Sequence, residues 1–195
     1  MTTSKDSKVW LITGSSRGIG RALAEAVLTA GHRLVATARN PKQLSDLVDT
    51  YGVRVRAVAL DVTDERAAAL AVASAVDTFG RLDVLVNNAG YGDLASIEDT
   101  TIQDFRAQIE TNLFGMIIVS KAAIPVMRRQ GSGHILQFSS IGGRVGPVGR
   151  GAYAAAKWGV EGFSEVLAKE VDPFGIKVTI VEPGGFRTDF AGAST

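Results

Sequence analysis

The sequence predicts a doubly wound α/β domain: a parallel sheet covered by helices on both faces. Three observations carry that expectation. Six short runs rich in β-branched and apolar residues recur along the chain, stretches of helical period separate them, and a glycine-rich loop follows the first run directly. Strands that are apolar on both faces and joined by helices require a parallel sheet, because each right-handed crossover lays its helix against one face.

The predicted strands are VWLIT (9–13), RLVATA (33–38), VRAVAL (55–60), LDVLVN (82–87), HILQFS (134–139) and KVTIVE (177–182). The first helical stretch, GIGRALAEAVLTAG, closes at Gly31, and the second opens at Pro41 and closes at Gly52. Asp64 is a candidate cap for the third, which stops at Gly80. Two longer helices follow at 102–130, expected to be interrupted at Pro125, and at 152–171, ended by Asp172-Pro173-Phe174-Gly175.

Composition narrows what the domain can do. The 195 residues are 46% hydrophobic and 21% charged, the profile of one domain (1–195) with a sizeable core. With 21 basic and 20 acidic residues the net charge is +1, so there is no electrostatic case for nucleic-acid or membrane partners, and small ligands are expected. The absence of cysteine removes disulfide and thiolate chemistry, and His32 and His134 are too far apart in the chain to suggest a metal site. The first eight residues are polar and no unbroken apolar run approaches the roughly 20 residues of a membrane span. The expectation is a soluble, cytoplasmic, metal-free protein.

The loop TGSSRGIG (13–20) leads from the first strand into the first helix. Backbone amides and the partial positive charge of a helix N-terminus converge there, and Gly14, Gly18 and Gly20 allow a pyrophosphate to approach the backbone. A tight strand-to-helix turn is the plainer alternative. The pattern G-x-x-x-G-x-G is a variant of the general dinucleotide fingerprint.

TGxxxGxG after strand one, Asn87-Asn88-Ala89-Gly90 after strand four, and Tyr153-x-x-x-Lys157 on a later helix together resemble the short-chain dehydrogenase/reductase family. The resemblance covers nearly the whole chain and extends to Ser140 and Pro183-Gly184 in family order. It implies a Rossmann-like fold and a nicotinamide dinucleotide held by Gly14, Ser16, Arg17, Gly18, Ile19, Gly20, Arg39, Asp61 and Val62. The same contacts extend to Asn88, Ala89, Gly90, Tyr153, Lys157, Pro183, Gly184 and Thr188. Asp61 is alternatively a helix cap, and part of the Asn-Asn-Ala-Gly motif is expected to be structural.

The end of strand two bears on the choice of dinucleotide. A carboxylate there hydrogen-bonds the ribose hydroxyls of NAD and repels a 2′-phosphate. Here Ala38 occupies that place and Arg39 follows, while Arg17 supplies a second guanidinium, so NADP(H) is expected over NAD(H). Each arginine taken singly is alternatively a solvated loop charge.

Tyr153 and Lys157 are four residues apart and share a helix face. The pair alone would equally suit a packed amphipathic helix with a snorkelling lysine. The resemblance makes Tyr153 the general acid/base, Lys157 its electrostatic partner and ribose anchor, and Ser140, in preference to Ser139, the hydrogen-bond partner of the substrate oxygen. Asn112 completes the set as holder of a water in a proton relay, although a mid-helix asparagine is more often a backbone partner. The implied activity is NADP(H)-dependent hydride transfer between nicotinamide and an alcohol or ketone carbon. The alternatives are a catalytically inactive dinucleotide-binding regulator, or an isomerase or lyase that uses bound nicotinamide.

The resemblance also implies a substrate-covering loop, further helices and a seventh strand beyond Thr195, so the C-terminus is expected to be incomplete. Residues expected to border the substrate are Tyr91, Gly92, Ile141, Arg144, Val145, Phe186 and Phe190, a largely apolar group that suits a hydrophobic alcohol or ketone. The two long helices resemble those that build family dimers and tetramers, so a homo-oligomer is expected.

Overall fold

A computed structural model describes residues 7–185. Six strands, β1 (Val9–Ile12), β2 (Arg33–Ala38), β3 (Val55–Ala59), β4 (Val84–Asn87), β5 (Gly133–Phe138) and β6 (Ile176–Val181), form one sheet. Their order is β3-β2-β1-β4-β5-β6 and every pair is parallel. Leu11 of β1 lies beside Val35 of β2 on one side and Leu85 of β4 on the other. The strand order reverses between β1 and β4, and in such sheets ligands bind in the crevice beyond the carboxyl ends at that reversal.

The helices are α1 (Gly18–Thr29), α2 (Ser45–Tyr51), α3 (Glu65–Phe79), α4 (Ile102–Ile109), α5 (Gly115–Gln130) and α6 (Gly151–Val171). Alternation along the strands feeds two cores. Ile12, Leu34, Ala36, Val84 and Val86 pack with Ala24, Val27 and Leu28 of α1 and Leu47 of α2. Val9, Leu11, Val35, Leu85 and Ile135 pack with Ala68, Ala71, Val72 and Ala75 of α3 and with Val119, Ala123 and Met127 of α5. Each fully buried leucine or valine contributes about 2 kcal/mol through removal of apolar area from water.

The long stretch 102–130 departs from expectation. Its irregularity lies not at Pro125 but at a π-helical turn, Glu110–Phe114, between α4 and α5. Pro125 sits inside α5, where Val119, Ala123 and Met127 are fully buried on either side of it, and this packing outweighs the lost backbone hydrogen bond. At the π turn the Asn112 side-chain Nδ2 donates to the Gln108 carbonyl at 2.9 Å, competing with the helical ladder. By length and a mean hydropathy of 1.3, the helical stretch Ile102–Gln130 is long and apolar enough to cross a membrane, although charged residues interrupt it. In this fold its Met116, Val119, Ala123 and Met127 are buried against the protein.

Asp64, not Asp61, caps α3, its Oδ1 accepting from the backbone N–H of Arg66 at 2.8 Å and of Ala67 at 3.0 Å. Asp64→Ala should therefore lower stability by about 1 kcal/mol, read as a shift in the urea unfolding midpoint with unchanged slope.

Candidate active site

The crevice is built where the loops after β1 and β4 meet. Thr13 Oγ1 accepts from the backbone N–H groups of Asn88 and Ala89, both at 2.9 Å, and donates to the Val86 carbonyl at 3.3 Å. Asn88 returns the contact, its Nδ2 donating to the carbonyls of Thr13 at 2.9 Å and Gly14 at 3.2 Å. Gly14 has φ +70, a left-handed conformation that favours glycine. A Cβ on Gly20 would run into the Gly14 carbonyl and the Asn88 side chain, so only glycine lets α1 start this close to the loop. Asn87 is structural: its Nδ2 donates to Ser120 Oγ at 2.9 Å and Gln137 Oε1 at 2.8 Å inside the protein.

The start of α1 is open to an anion. Arg17 occupies its N-cap with extended backbone and no side-chain capping bond, and the first turn carries no acidic residue. Ser16 and Ile19 are half-buried in the same loop, and Gly18 is exposed. Arg17 and Arg39 are both exposed, and neither side chain has a hydrogen bond or ion pair among the described residues, whereas Ala38 is buried. This glycine cradle at an uncapped helix start fits the pyrophosphate of a dinucleotide.

Asp61 lies exposed just past the end of β3, its Oδ1 accepting from Thr63 N–H at 3.0 Å and Thr63 Oγ1 at 2.7 Å. Val62 is buried, and its side chain fills the space that a Cβ on Gly115 of α5 would need. The Pro183 carbonyl accepts from Ile141 N–H at 3.3 Å, and Gly184 is exposed beside it. Thr188, Phe186 and Phe190 lie outside the described residues.

Ser140, Tyr153, Lys157 and Asn112 converge on the same opening. Lys157 is buried, and its Nζ donates to the Phe138 carbonyl at 2.7 Å and stands 5.7 Å from the centroid of the Tyr153 ring. Gly90 leaves room for both neighbours: a Cβ there would strike Asn112 Oδ1 and lie 3.9 Å from Lys157 Nζ. Asn112 is held by backbone. Its Oδ1 accepts from Tyr91 N–H at 3.1 Å, and its Nδ2 donates to the carbonyls of Tyr91 at 2.8 Å and Gln108 at 2.9 Å.

The two serines face different ways, as successive residues do when a strand ends. Ser140 Oγ accepts from Gly142 N–H at 3.1 Å and hydrogen-bonds Tyr153, while Ser139 is buried with its hydroxyl against Gly143 and Glu161. Burial pushes the Tyr153 phenol above its ordinary pKa; the Ser140 hydrogen bond and the nearby Arg150 charge pull it the other way. Burial pushes the Lys157 ammonium down to about 8, opposed by the charge of Glu161. Lys157 is thus poised to change protonation near neutral pH.

The remaining substrate-side residues are mixed. Tyr91 is half-buried, Gly92 buried, and Ile141 and Val145 exposed. Arg144 is already engaged, its Nε and Nη2 donating to Glu182 Oε1 at 3.0 and 2.8 Å. Two contributors escaped the sequence reading. Arg150 Nη1 donates to the Gly92 carbonyl at 2.8 Å and ties the two loops that flank the opening. Glu161, 5% exposed, repeats the Tyr153–Lys157 spacing one turn further on, and that spacing was the available signal. Among the described residues no group of His, Cys, Asp or Glu could hold a metal ion.

A parallel sheet of this order with a glycine cradle at its switch point defines a dinucleotide-binding α/β protein. The model of the short chain dehydrogenase family matches residues 8–195, and the chain belongs to that family, whose members are oxidoreductases that use nicotinamide cofactors. It is 57% identical over 189 residues to the oxidoreductase BOA17 of Botryotinia fuckeliana, covering 96% of this chain and 69% of that protein. It is 41% identical over 183 residues to the 3-ketodihydrosphingosine reductase of Bacteroides thetaiotaomicron, covering 94% of this chain and 65% of that one. The crystal structure of a short-chain dehydrogenase from Streptomyces avermitilis superposes with a TM-score of 0.91 at 46% identity, covering 97% of this chain and 70% of that chain. The chain therefore spans about two thirds of the length of these relatives.

Thr13→Val keeps the shape of the side chain but strands the N–H groups of Asn88 and Ala89. It should cost about 2 kcal/mol or more in urea unfolding.

Proposed function

We propose that the protein is an NADP(H)-dependent oxidoreductase acting between an alcohol and a ketone. The observation that carries this reading is the meeting of Ser140, Tyr153 and Lys157 at the carboxyl end of the sheet, beside the Gly90 opening. Bound nicotinamide supplies or accepts the hydride. Tyr153 delivers a proton to the substrate oxygen or removes one from it, and Ser140 hydrogen-bonds that oxygen and orients it. Because burial favours the phenol, the resting site is set up as an acid, which suits ketone reduction. Lys157, while protonated, places positive charge beside Tyr153 and eases release of the proton. The relative named as a 3-ketodihydrosphingosine reductase supports a ketone substrate, and exposed Ile141 and Val145 support an apolar one.

The preference for NADP(H) rests on Arg17 and Arg39, exposed and uncommitted, with no acid at position 38. An exposed arginine that gains a phosphate partner gives up no existing ion pair, so its full interaction goes to the ligand.

A panel of apolar ketones with NADPH, followed by the loss of cofactor absorbance in the full-length protein, tests the activity. Tyr153→Phe should lose about a thousand-fold in kcat while the circular dichroism spectrum and NADPH binding stay intact; turnover within a few-fold of wild type would overturn the assignment. Arg39→Ala should weaken NADPH about tenfold and leave NADH unchanged, and equal loss for both cofactors would overturn the phosphate role.

A further inference from the structure

Glu161 is a carboxylate buried without the hydrogen bonds that normally accompany burial. It is 5% exposed, and neither of its oxygens has a hydrogen-bond partner among the described residues. Arg144 Nη2 forms an ion pair with Glu161 Oε2 at 3.2 Å without a hydrogen bond, and the guanidinium donates its Nε and Nη2 to Glu182 Oε1. A buried carboxylate with its nearest cation half-spent is costly to keep, so its charge calls for a function.

The geometry points to one. Tyr153, Lys157 and Glu161 follow one another at intervals of four along α6, Tyr153 half-buried and Lys157 and Glu161 buried. No close ion pair forms between Lys157 and Glu161; Lys157 Nζ is spent on the Phe138 carbonyl. The carboxylate therefore acts through space, across an interior where charge is poorly screened. The loop after β5 seals the region. Gly143 packs so tightly that a Cβ there would lie 2.7 Å from Ser139 Oγ and 3.0 Å from Glu161 Oε1.

We propose that Glu161 is a positioning residue for the reaction: its buried carboxylate is the counter-charge that keeps the Lys157 ammonium protonated inside the protein, and its ion pair with Arg144 sets how much of that charge reaches Lys157. This rests on the reading of Tyr153 and Lys157 given above. The groups around Lys157 are few. On α6 they are Tyr153 and Glu161, from the π turn the neutral Asn112, and from the end of β5 the Phe138 carbonyl. Arg144 comes from the loop after β5, with Glu182 after β6 and Glu165 on α6 acting on it in turn, and Arg150 acts on Tyr153 from the start of α6.

The sign follows directly. Burial, partly offset by the Glu161 charge, leaves Lys157 at about 8. Removing the carboxylate lowers the midpoint further, so more of the ammonium is lost at neutral pH. Removing Arg144 frees the carboxylate and deletes a repelling cation, so the midpoint rises. Lys157 supports Tyr153 only while charged, so activity falls as pH climbs through this midpoint and the alkaline limb moves with it.

The test is a pH titration of the Lys157 side chain by lysine-selective NMR in the full-length protein, which needs no turnover. Relative to wild type, Glu161→Gln should titrate about one pH unit lower or more, Glu161→Asp in between, and Arg144→Gln higher. The alkaline limb of ketone reduction with NADPH should shift in the same directions, whereas a merely structural role would lower kcat without moving either midpoint. If Glu161→Gln does not fold, opposite shifts in Glu161→Asp and Arg144→Gln still carry the inference. An unmoved Lys157 midpoint in the folded variants overturns it. Tyr153→Phe separates the two claims: an inactive Tyr153→Phe with an unmoved Lys157 midpoint sinks only the role of Glu161, and an active Tyr153→Phe sinks the catalytic reading whatever the titration shows.

Discussion

Everything at the crevice depends on how closely the loop after β1 can approach the loop after β4. One hydroxyl, that of Thr13, satisfies two backbone N–H groups of the neighbouring loop, and one amide, that of Asn88, answers with two bonds in return. This reciprocal stitch fills the switch point with backbone rather than side chains, and it is achieved only because Gly20 has no Cβ to push the helix away. The start of α1 is left with no side-chain cap and no acidic residue in its first turn. An error at the stitch would displace both loops together.

The second governing effect is burial acting with opposite sign on an acid and a base of the same helix. Tyr153 is pushed up and Lys157 down, so desolvation favours the neutral form of each. A phenol beside a neutral amine could not respond to substrate at ordinary pH. The charges that resist desolvation, Arg150 near Tyr153 and Glu161 near Lys157, sit on the same helix or at its start, which keeps their distances fixed by helix geometry rather than by loops.

Much of this was legible along the chain because the relevant signals are local. The β-branched runs set the strands to within a residue or two, and the Asp64 cap and Gly80 stop bounded α3 as read. The preference for Ser140 over Ser139 came from the family resemblance; in the fold, Ser140 Oγ accepts from Gly142 N–H while Ser139 is buried. What could not be read depends on contacts distant in sequence. Pro125 looks like a break until Val119, Ala123 and Met127 are seen packed into the core around it, and the real irregularity comes from an asparagine whose amide bridges to the loop at Tyr91. Glu161 drew no reading from the sequence, because what buries it includes the loop holding Gly143, distant along the chain. Arg144 resembles a substrate-facing residue until Glu182, arriving from the last strand, claims it.

The π turn at Glu110–Phe114 has a consequence for the phase of the helix that carries it. A π turn holds one residue more than the α-helical turn it replaces, and each residue turns the helix by about 100°. Upstream, the register buries Gln108, whose Oε1 accepts from Asp93 N–H; downstream, it presents Val119, Ala123 and Met127 to the core beneath the sheet. The extra residue works as a phase shifter, letting one continuous helical rod serve two surfaces that a regular α-helix could not face in succession. Losing that residue would turn one of the two faces out of register, so the rod tolerates substitutions along its length far better than a change of count at this turn.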